Sequence, residues 1–396
     1  MDALATKKKL SIVSAIMVFS RPVRNEISLT ISDFVIILGC KKSTKVVLLL
    51  LFMERVIPTL LKWYKITARN LPWRETNDPY KIWISEIILQ QTRVVQGLGY
   101  YNRFVLAFPN IQALANASEQ EILKSWQGLG YYARARNMHK AAKLILSAHS
   151  GVFPTNVEML LALPGIGNYT ASAIASFAYG LPEPAIDGNV KRVGARFFGL
   201  YEPIHTSQFY TQLHAVLRVA IVQTNANIFN QAMIEVGALL CLPKQPKCEE
   251  CPLNSHCVAF LNKLQNQIPV VVQKQKPMAK YRHYLCLHRG DTVAIRIRNE
   301  SGIYQHLYEF PAVSREDKLD HLEAILALFG IVDNISIISK KTFKHQLTHQ
   351  TIYATCWYLR ISDDKFVSPS DWEWHNKESI ANLPIHRLME KMIKFT

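Results

Sequence analysis

LPGIGNYTASAIASFAYGLPEPAIDGNVKRV, residues Leu163 to Val193, joins a glycine-flanked turn to a lone acid within one short segment. Thr155 and Glu158 have the spacing of a capping box that opens a helix, and Pro164 forbids its continuation past Leu163. Gly165 and Gly167 bracket Ile166, so the chain can turn with no Cβ in the way. A second helix is predicted to open at about Asn168 to Thr170 with its first amides unpaired, and such an end can receive a phosphate. Ala171, Ile174, Ala175 and Ala178 recur at helical spacing, which buries that helix and gives the turn a rigid base. Pro182 and Pro184 are expected to end it, and Asp187-Gly188-Asn189 then leads into Val190-Lys191-Arg192-Val193, two cations beside one acid. Each feature also has a plain reading: most glycine pairs between helices are simple connections, and an Asp opening a helix is usually an N-cap.

Upstream, Val56, Ile57, Leu60, Leu61, Trp63 and Tyr64 give an amphipathic helix between Glu54 and Ala68. Leu71-Pro72-Trp73-Arg74 reads as a loop, and Asp78-Pro79 as the N-cap and first residue of a helix, YKIWISEIILQQTRV. Within it, the neighbours of Glu86 at three and four residues are Ile82, Trp83, Leu89 and Gln90, so this carboxylate shares its side of the helix with apolar groups. A glutamate there is either a solvated surface residue or a desolvated acid with a raised pKa, the property a general acid needs near neutral pH. Ser118 and Glu121 make a second capping box, and the glycine turn Gly128-Leu129-Gly130 precedes Tyr131, Tyr132 and a basic helix with Arg134, Arg136, His139, Lys140 and Lys143. Charge runs are normally solvated faces, but beside tandem tyrosines phosphate contact and base stacking are the expected use.

Downstream, Cys241, Cys248, Cys251 and Cys257 form a C-x6-C-x2-C-x5-C array. Four close thiolates can hold zinc or an iron-sulfur cluster, and C-x2-C alone favours zinc. Residues 269–280 read as a linker. Beyond it, strands are expected at Tyr281 to His288, Val293 to Arg298, Ile335 to Ile338 and Ile352 to Ile361, with an amphipathic helix from Leu319 to Phe329.

The 396 residues, 49% of them hydrophobic, suffice for two domains with cores of their own. A net charge of +16 suggests a polyanionic partner. Seven cysteines, with Cys40, Cys286 and Cys356 isolated, do not form a paired secreted framework and fit a reducing compartment. Lys7-Lys8-Lys9 before Leu10 to Phe19 faintly mimics a signal peptide, but no small-residue cleavage site follows. The run Val46 to Met53 is far shorter than the roughly 20 residues of a membrane span.

The strings L-P-G-I-G-x-Y-T-A and D-G-N-V-x-R-V, with W-I-S-E-I-I-L-Q-Q-T-R-V before them, resemble the helix-hairpin-helix base-excision glycosylases of the endonuclease III superfamily, specifically the adenine glycosylases of the MutY type. The resemblance starts at Met53 and leaves residues 1–52 as an extension outside the family. It implies a mainly α catalytic region over 53–268, made of a helix-hairpin-helix six-helix module and an iron-sulfur module, then an α+β Nudix-like recognition domain over 281–396. It makes Glu86 the proton donor and Asp187 the carboxylate that stabilises the sugar, with Tyr169 and Asn189 beside them. Arg74 lies near the adenine pocket, Gln91 and Tyr131 enter the duplex, and Gly165 and Gly167 grip its backbone. The cysteine spacing implies a 4Fe-4S cluster rather than zinc.

By the same resemblance the HLYEFP string stands where the family has G-L-W-E-F-P, and no G-x5-E-x7-R-E-x-x-E-E box accompanies it, so the domain is expected to recognise and not hydrolyse. Leu347-Thr348-His349 aligns with the family's F-S-H loop, making Thr348 and His349 readers of the opposite base; Phe343-Lys344-His345 is the rival alignment. The implied partner is double-stranded DNA with adenine opposite 8-oxoguanine or guanine, met by a monomer in the cytoplasm with no membrane contact. Two competitors remain. Endonuclease III itself carries a lysine nucleophile where this chain has Tyr169, and a Schiff base needs an amine. A non-catalytic DNA-binding module would need neither Glu86 nor Asp187.

Overall fold

The structure, a computed structural model, describes residues 42–272, 277–315, 321–331, 335–361, 366 and 368–396. The run Leu10 to Phe19, Cys40 and part of the expected linker lie outside these residues. The chain divides into two compact units, residues 1–55 and 56–396. Helix α1 (Lys42–Thr67) is continuous through Met53, so the expected end of the amino-terminal extension falls inside a helix. Among the described residues no helix is long and apolar enough to cross a membrane.

The rest of the catalytic region comprises α2 (Pro79–Leu89), α3 (Val94–Ala107), α4 (Ile111–Asn116), α5 (Glu119–Ser125), α6 (Ala133–Ala148), α7 (Val157–Leu161), α8 (Asn168–Tyr179), α9 (Gly188–Phe198), α10 (Ser207–Ile221), α11 (Ala226–Leu239) and α12 (Val258–Leu261). Asp78 caps α2 by accepting from the Tyr80 N–H at 2.9 Å, and the Ser118–Glu121 capping box opens α5 as its spacing predicts. Two expected signals give way to neighbours. Asn156, not Thr155, caps α7, accepting from the Met159 N–H at 2.7 Å. Helix α8 ends on Gly180, whose left-handed backbone closes the last turn before Pro182 or Pro184 is reached.

Helices α2 and α8 pack together, burying Ile82, Trp83, Ile84, Ile87 and Ile88 of the first and Ala171 and Ile174 of the second. Helices α9 and α11 also meet, and Gly237 permits it, since a Cβ there would come within 2.5 Å of the Asn189 Cβ.

The carboxy-terminal part is a seven-stranded sheet: β1 (Met278–Arg289), β2 (Thr292–Ile297), β3 (Tyr308–Glu309), β4 (Ala312–Arg315), β5 (Ile335–Gln346), β6 (Gln350–Ile361) and β7 (Trp372–Asn376). Its main path is β3-β2-β1-β6-β5, with β1 and β6 parallel and β5 and β6 a long hairpin. Helix α13 (Leu322–Leu328) contributes Leu322 and Ile325 to a core with Leu285, Leu287, Trp357 and Leu359, while α14 (Lys377–Ala381) and α15 (Arg387–Met392) follow β7. Strand β1 begins at Met278, three residues before the expected domain start. Strand β5 runs eight residues past the expected Ile338. The buried Glu309 of the HLYEFP string is bracketed by Arg282, Arg298 and His386, a structural ion cluster.

The two parts dock through α5 and the Trp126–Arg136 turn. Lys124 Nζ donates to the Ala381 and Leu383 carbonyls at 2.6 and 3.2 Å, Gln127 Nε2 to Glu390 at 2.6 Å, and Arg136 to the Gln305 carbonyl at 2.8 Å. His306 pairs with Glu119.

Candidate active site

An open cleft of about 900 Å³ is lined by the 69–74 loop, α2, Tyr169 at the start of α8, the Asp187 end of α9 and one face of α11. Glu86 projects from the middle of α2 into it and is 7% exposed. Burial raises its carboxyl to about 7; a hydrogen bond from the Tyr169 hydroxyl and the charge of Arg74 oppose the rise, and Asp187 adds to it. The Tyr169 hydroxyl lies well above its ordinary range, first from burial and then from the two carboxylates beside it.

Asp187 is the N-cap of α9, as the plain reading expects, and it also faces the cleft. One carboxyl oxygen accepts from the Val190 N–H at 2.7 Å and the other from Asn189 Nδ2 at 2.8 Å. Burial raises this carboxyl too, while those donors and Arg192 pull it down. More donors serve Asp187 than serve Glu86, and each such donor favours the charged form of the Asp187 carboxyl.

Residues outside the expected set hold these in place. Arg192 donates to Asn189 Oδ1 at 2.8 Å, to the Gly237 carbonyl at 2.7 Å and to the Cys241 carbonyl at 2.6 Å, which fixes the amide that faces Asp187. Arg74 does not stand alone in the cleft: its Nη2 lies 2.7 Å from Glu235, which Arg69 also grips at 2.7 Å. Burial would raise the Glu235 carboxyl, but the two guanidiniums hold it at about 2. Glu235 carries the same signal as Glu86, an acid amid the apolar residues of FNQAMIEVGAL, and could have been found by it.

Gln91 and Tyr131 are exposed and both adopt the left-handed backbone, with φ of 58° and 49°. Neither has a glycine's freedom there, and such strain collects at functional positions. Gly165 needs to be glycine, with φ of 80° and the Asn137 Cβ 2.8 Å from where its own would stand. Gly167 is the N-cap of α8 in an ordinary conformation, and a Cβ there would meet no protein atom within 4 Å. Thr348 and His349 are exposed at the β5–β6 turn, and the Thr348 hydroxyl hydrogen-bonds the Tyr131 hydroxyl. The rival segment Phe343-Lys344-His345 lies within β5, with Phe343 turned to the core.

The basic helix departs from expectation. Arg134 is spent on backbone carbonyls, Arg136 on Gln305, and His139 is buried; Lys140 and Lys143 remain exposed.

Cys241, Cys248, Cys251 and Cys257 line one small cavity of about 30 Å³ with Arg196, whose Nη1 is 3.3 Å from the Cys241 sulfur. Four thiols around a common space, with no imidazole or carboxylate lining it, fit an all-cysteine metal centre.

Three segments of the chain are similar to known protein families. Residues 84–218 match the HhH-GPD superfamily of base excision DNA repair proteins, residues 241–257 the iron-sulfur binding domain of endonuclease III, and residues 283–395 the NUDIX domain. An adenine DNA glycosylase of Buchnera aphidicola subsp. Baizongia pistaciae is 36% identical over 344 residues, covering 85% of this chain and 96% of its own. An adenine DNA glycosylase of Arabidopsis thaliana is 34% identical over 67% of this chain and 49% of its own. A solved thermostable thymine-DNA glycosylase is similar over 53% of this chain and 97% of its own, at 26% identity and a TM-score of 0.48.

Proposed function

The chain belongs to the adenine DNA glycosylases, with a helix-hairpin-helix catalytic region, a 4Fe-4S loop and a Nudix-like domain, and on that premise we propose that it removes adenine mispaired with 8-oxoguanine or guanine in double-stranded DNA. The observation that carries this is the Glu86–Tyr169–Asp187 constellation, one carboxyl raised to about 7 beside a second that is capped by donors.

Adenine must leave the base stack to reach the cleft, because its glycosidic bond is shielded inside a duplex, and unstacking costs least at a mismatch. Gly165 and Gly167 bring the amino end of α8 to the DNA backbone, where unpaired amides favour phosphate. Gln91 and Tyr131 fill the duplex beside the expelled base, and Thr348 and His349 meet its former partner. Within the cleft, Glu86 donates a proton to adenine N7, so the base departs neutral. Asp187, a carboxylate held by Val190 and Asn189, stabilises the positive charge left on the sugar until water adds. Tyr169 positions Glu86, and Arg74, held by Glu235, borders the adenine pocket. Cys241, Cys248, Cys251 and Cys257 hold the cluster, which supplies a rigid, charged brace for the loop.

The enzyme works as a monomer in the cytoplasm, and it is monofunctional, since Tyr169 has no amine for a Schiff base. Single-turnover assays on duplexes with adenine opposite 8-oxoguanine, guanine or thymine test this reading. Excision is expected in the order 8-oxoguanine, guanine, thymine, with strand breakage only after hot alkali. Equal rates on all three would overturn the mispair assignment, and efficient borohydride trapping of the enzyme on DNA would overturn the monofunctional one.

A further inference from the structure

We infer that Arg134 is a positioning residue that ties the loop facing the opposite base to the helix bearing the catalytic acid, so that recognition of that base and adenine excision are coupled. The inference rests on the roles proposed for Glu86, Tyr131 and Thr348. Arg134 Nη1 donates to the carbonyls of Ile87 at 2.8 Å, Ile88 at 3.2 Å and Gln90 at 2.6 Å. These are the last carbonyls of α2, the groups a helix leaves without partners, and a cation there also meets the negative end of the helix dipole. Nη2 of the same guanidinium donates to Leu129 at 3.3 Å and Gly130 at 3.1 Å, the residues that precede Tyr131. Its Cζ lies over the Trp126 ring, 5.2 Å from the ring centre, and over the Tyr131 ring at 5.8 Å.

One planar fork therefore spans two segments that share no sequence. On one side it holds the peptide of Gln90, immediately before the strained Gln91 and one turn after Glu86. On the other it holds the turn that presents the strained Tyr131, whose hydroxyl touches Thr348 of the recognition domain. A displacement of Tyr131 by the opposite base is transmitted through Gly130 and the guanidinium to the end of α2. Lysine cannot substitute, because a single ammonium has no rigid fork to serve both segments at once. Burial lowers Arg134 to about 10, so it stays charged at neutral pH.

The test compares the full-length wild type with Arg134→Lys and Arg134→Gln in single-turnover excision of adenine opposite 8-oxoguanine and opposite guanine. The ratio of the two rate constants is expected to fall about tenfold in Arg134→Lys, within the usual range of coupling between sites. Combining it with Thr348→Val is expected to lower the ratio by less than the product of the single effects. A merely structural arginine would slow both substrates equally and leave the ratio unchanged, and that result overturns the inference. If the variants do not fold, hydrogen exchange on the wild type decides. A duplex with 8-oxoguanine opposite an uncleavable adenine analogue should protect the amides of residues 87–91 and 129–131 together, more than the guanine duplex does. Protection of 129–131 alone refutes the coupling. A wild type with no preference between the two duplexes would instead indict the mispair assignment, which the ratio in the wild type alone reveals.

Discussion

Glu86→Gln and Asp187→Asn are each expected to bind a duplex with adenine opposite 8-oxoguanine nearly as tightly as the parent, yet to lose adenine excision by about a hundredfold or more in single turnover. Both substitutions keep shape. Asparagine is as good an N-cap as aspartate, so the bond from the Val190 N–H and the start of α9 survive in Asp187→Asn, and only the charge facing the sugar is gone. Glutamine in α2 fills the same volume with no proton to give. It should also stabilise the protein at alkaline pH. The Glu86 carboxyl is raised from its ordinary 4.5 to about 7 in the fold, so the folded state favours the neutral form. That contribution is whole below the unfolded value and is lost as pH rises through the folded one. Glu86→Gln escapes the loss, which is worth about 1 to 3 kcal/mol above neutrality. Near-parent excision by either variant, measured by quenched single turnover, would remove that residue from the chemistry.

Cys251→Ser should yield colourless protein that melts lower and excises adenine poorly, whereas the parent is brown with a broad visible absorbance. The cluster is an internal brace in a loop with little core: Leu253 is the buried apolar residue between Cys248 and Cys257, and Ala259 follows just beyond. Arg196 binds this loop at the Leu242 carbonyl, 2.7 Å, and its continuation at the Ile268 carbonyl, 2.9 Å, while Arg192 takes the Cys241 carbonyl at 2.6 Å. Those two arginines sit on α9, whose amino end is Asp187, so a loosened loop also loosens the Asn189–Asp187 contact. Exposed Lys244 and Lys247 lose their mooring toward phosphate, and binding weakens with a smaller salt dependence. Colourless, fully active protein containing zinc would contradict the assignment.

What the sequence made legible was local. Glu86 stood out because four helical neighbours were named by spacing alone, and Asp187 because an N-cap beside a glycine is visible in three letters. The capping boxes show the limit of such rules: Ser118–Glu121 forms, while at Thr155 the next residue, Asn156, takes the cap because its side-chain Oδ1 accepts from the Met159 N–H. The docking of Lys124, Gln127 and Arg136 on the Nudix-like domain joins residues some 169 to 263 positions apart, and no periodicity encodes that. The same holds for the parallel pairing of β1 with β6 and for the strand Trp372–Asn376 added beside β2. The basic helix misled for a related reason, since a guanidinium bound to carbonyls and one facing phosphate are identical in sequence.

If a buried, protonated Glu86 delivers the proton, the pH dependence of wild-type single-turnover excision on the 8-oxoguanine duplex follows its titration. The rate constant is expected to be highest on the acid side and to fall tenfold per pH unit once pH passes about 7, the titration of Glu86 in the cleft. A rate constant that stays flat from about pH 6 to about pH 9 would contradict it.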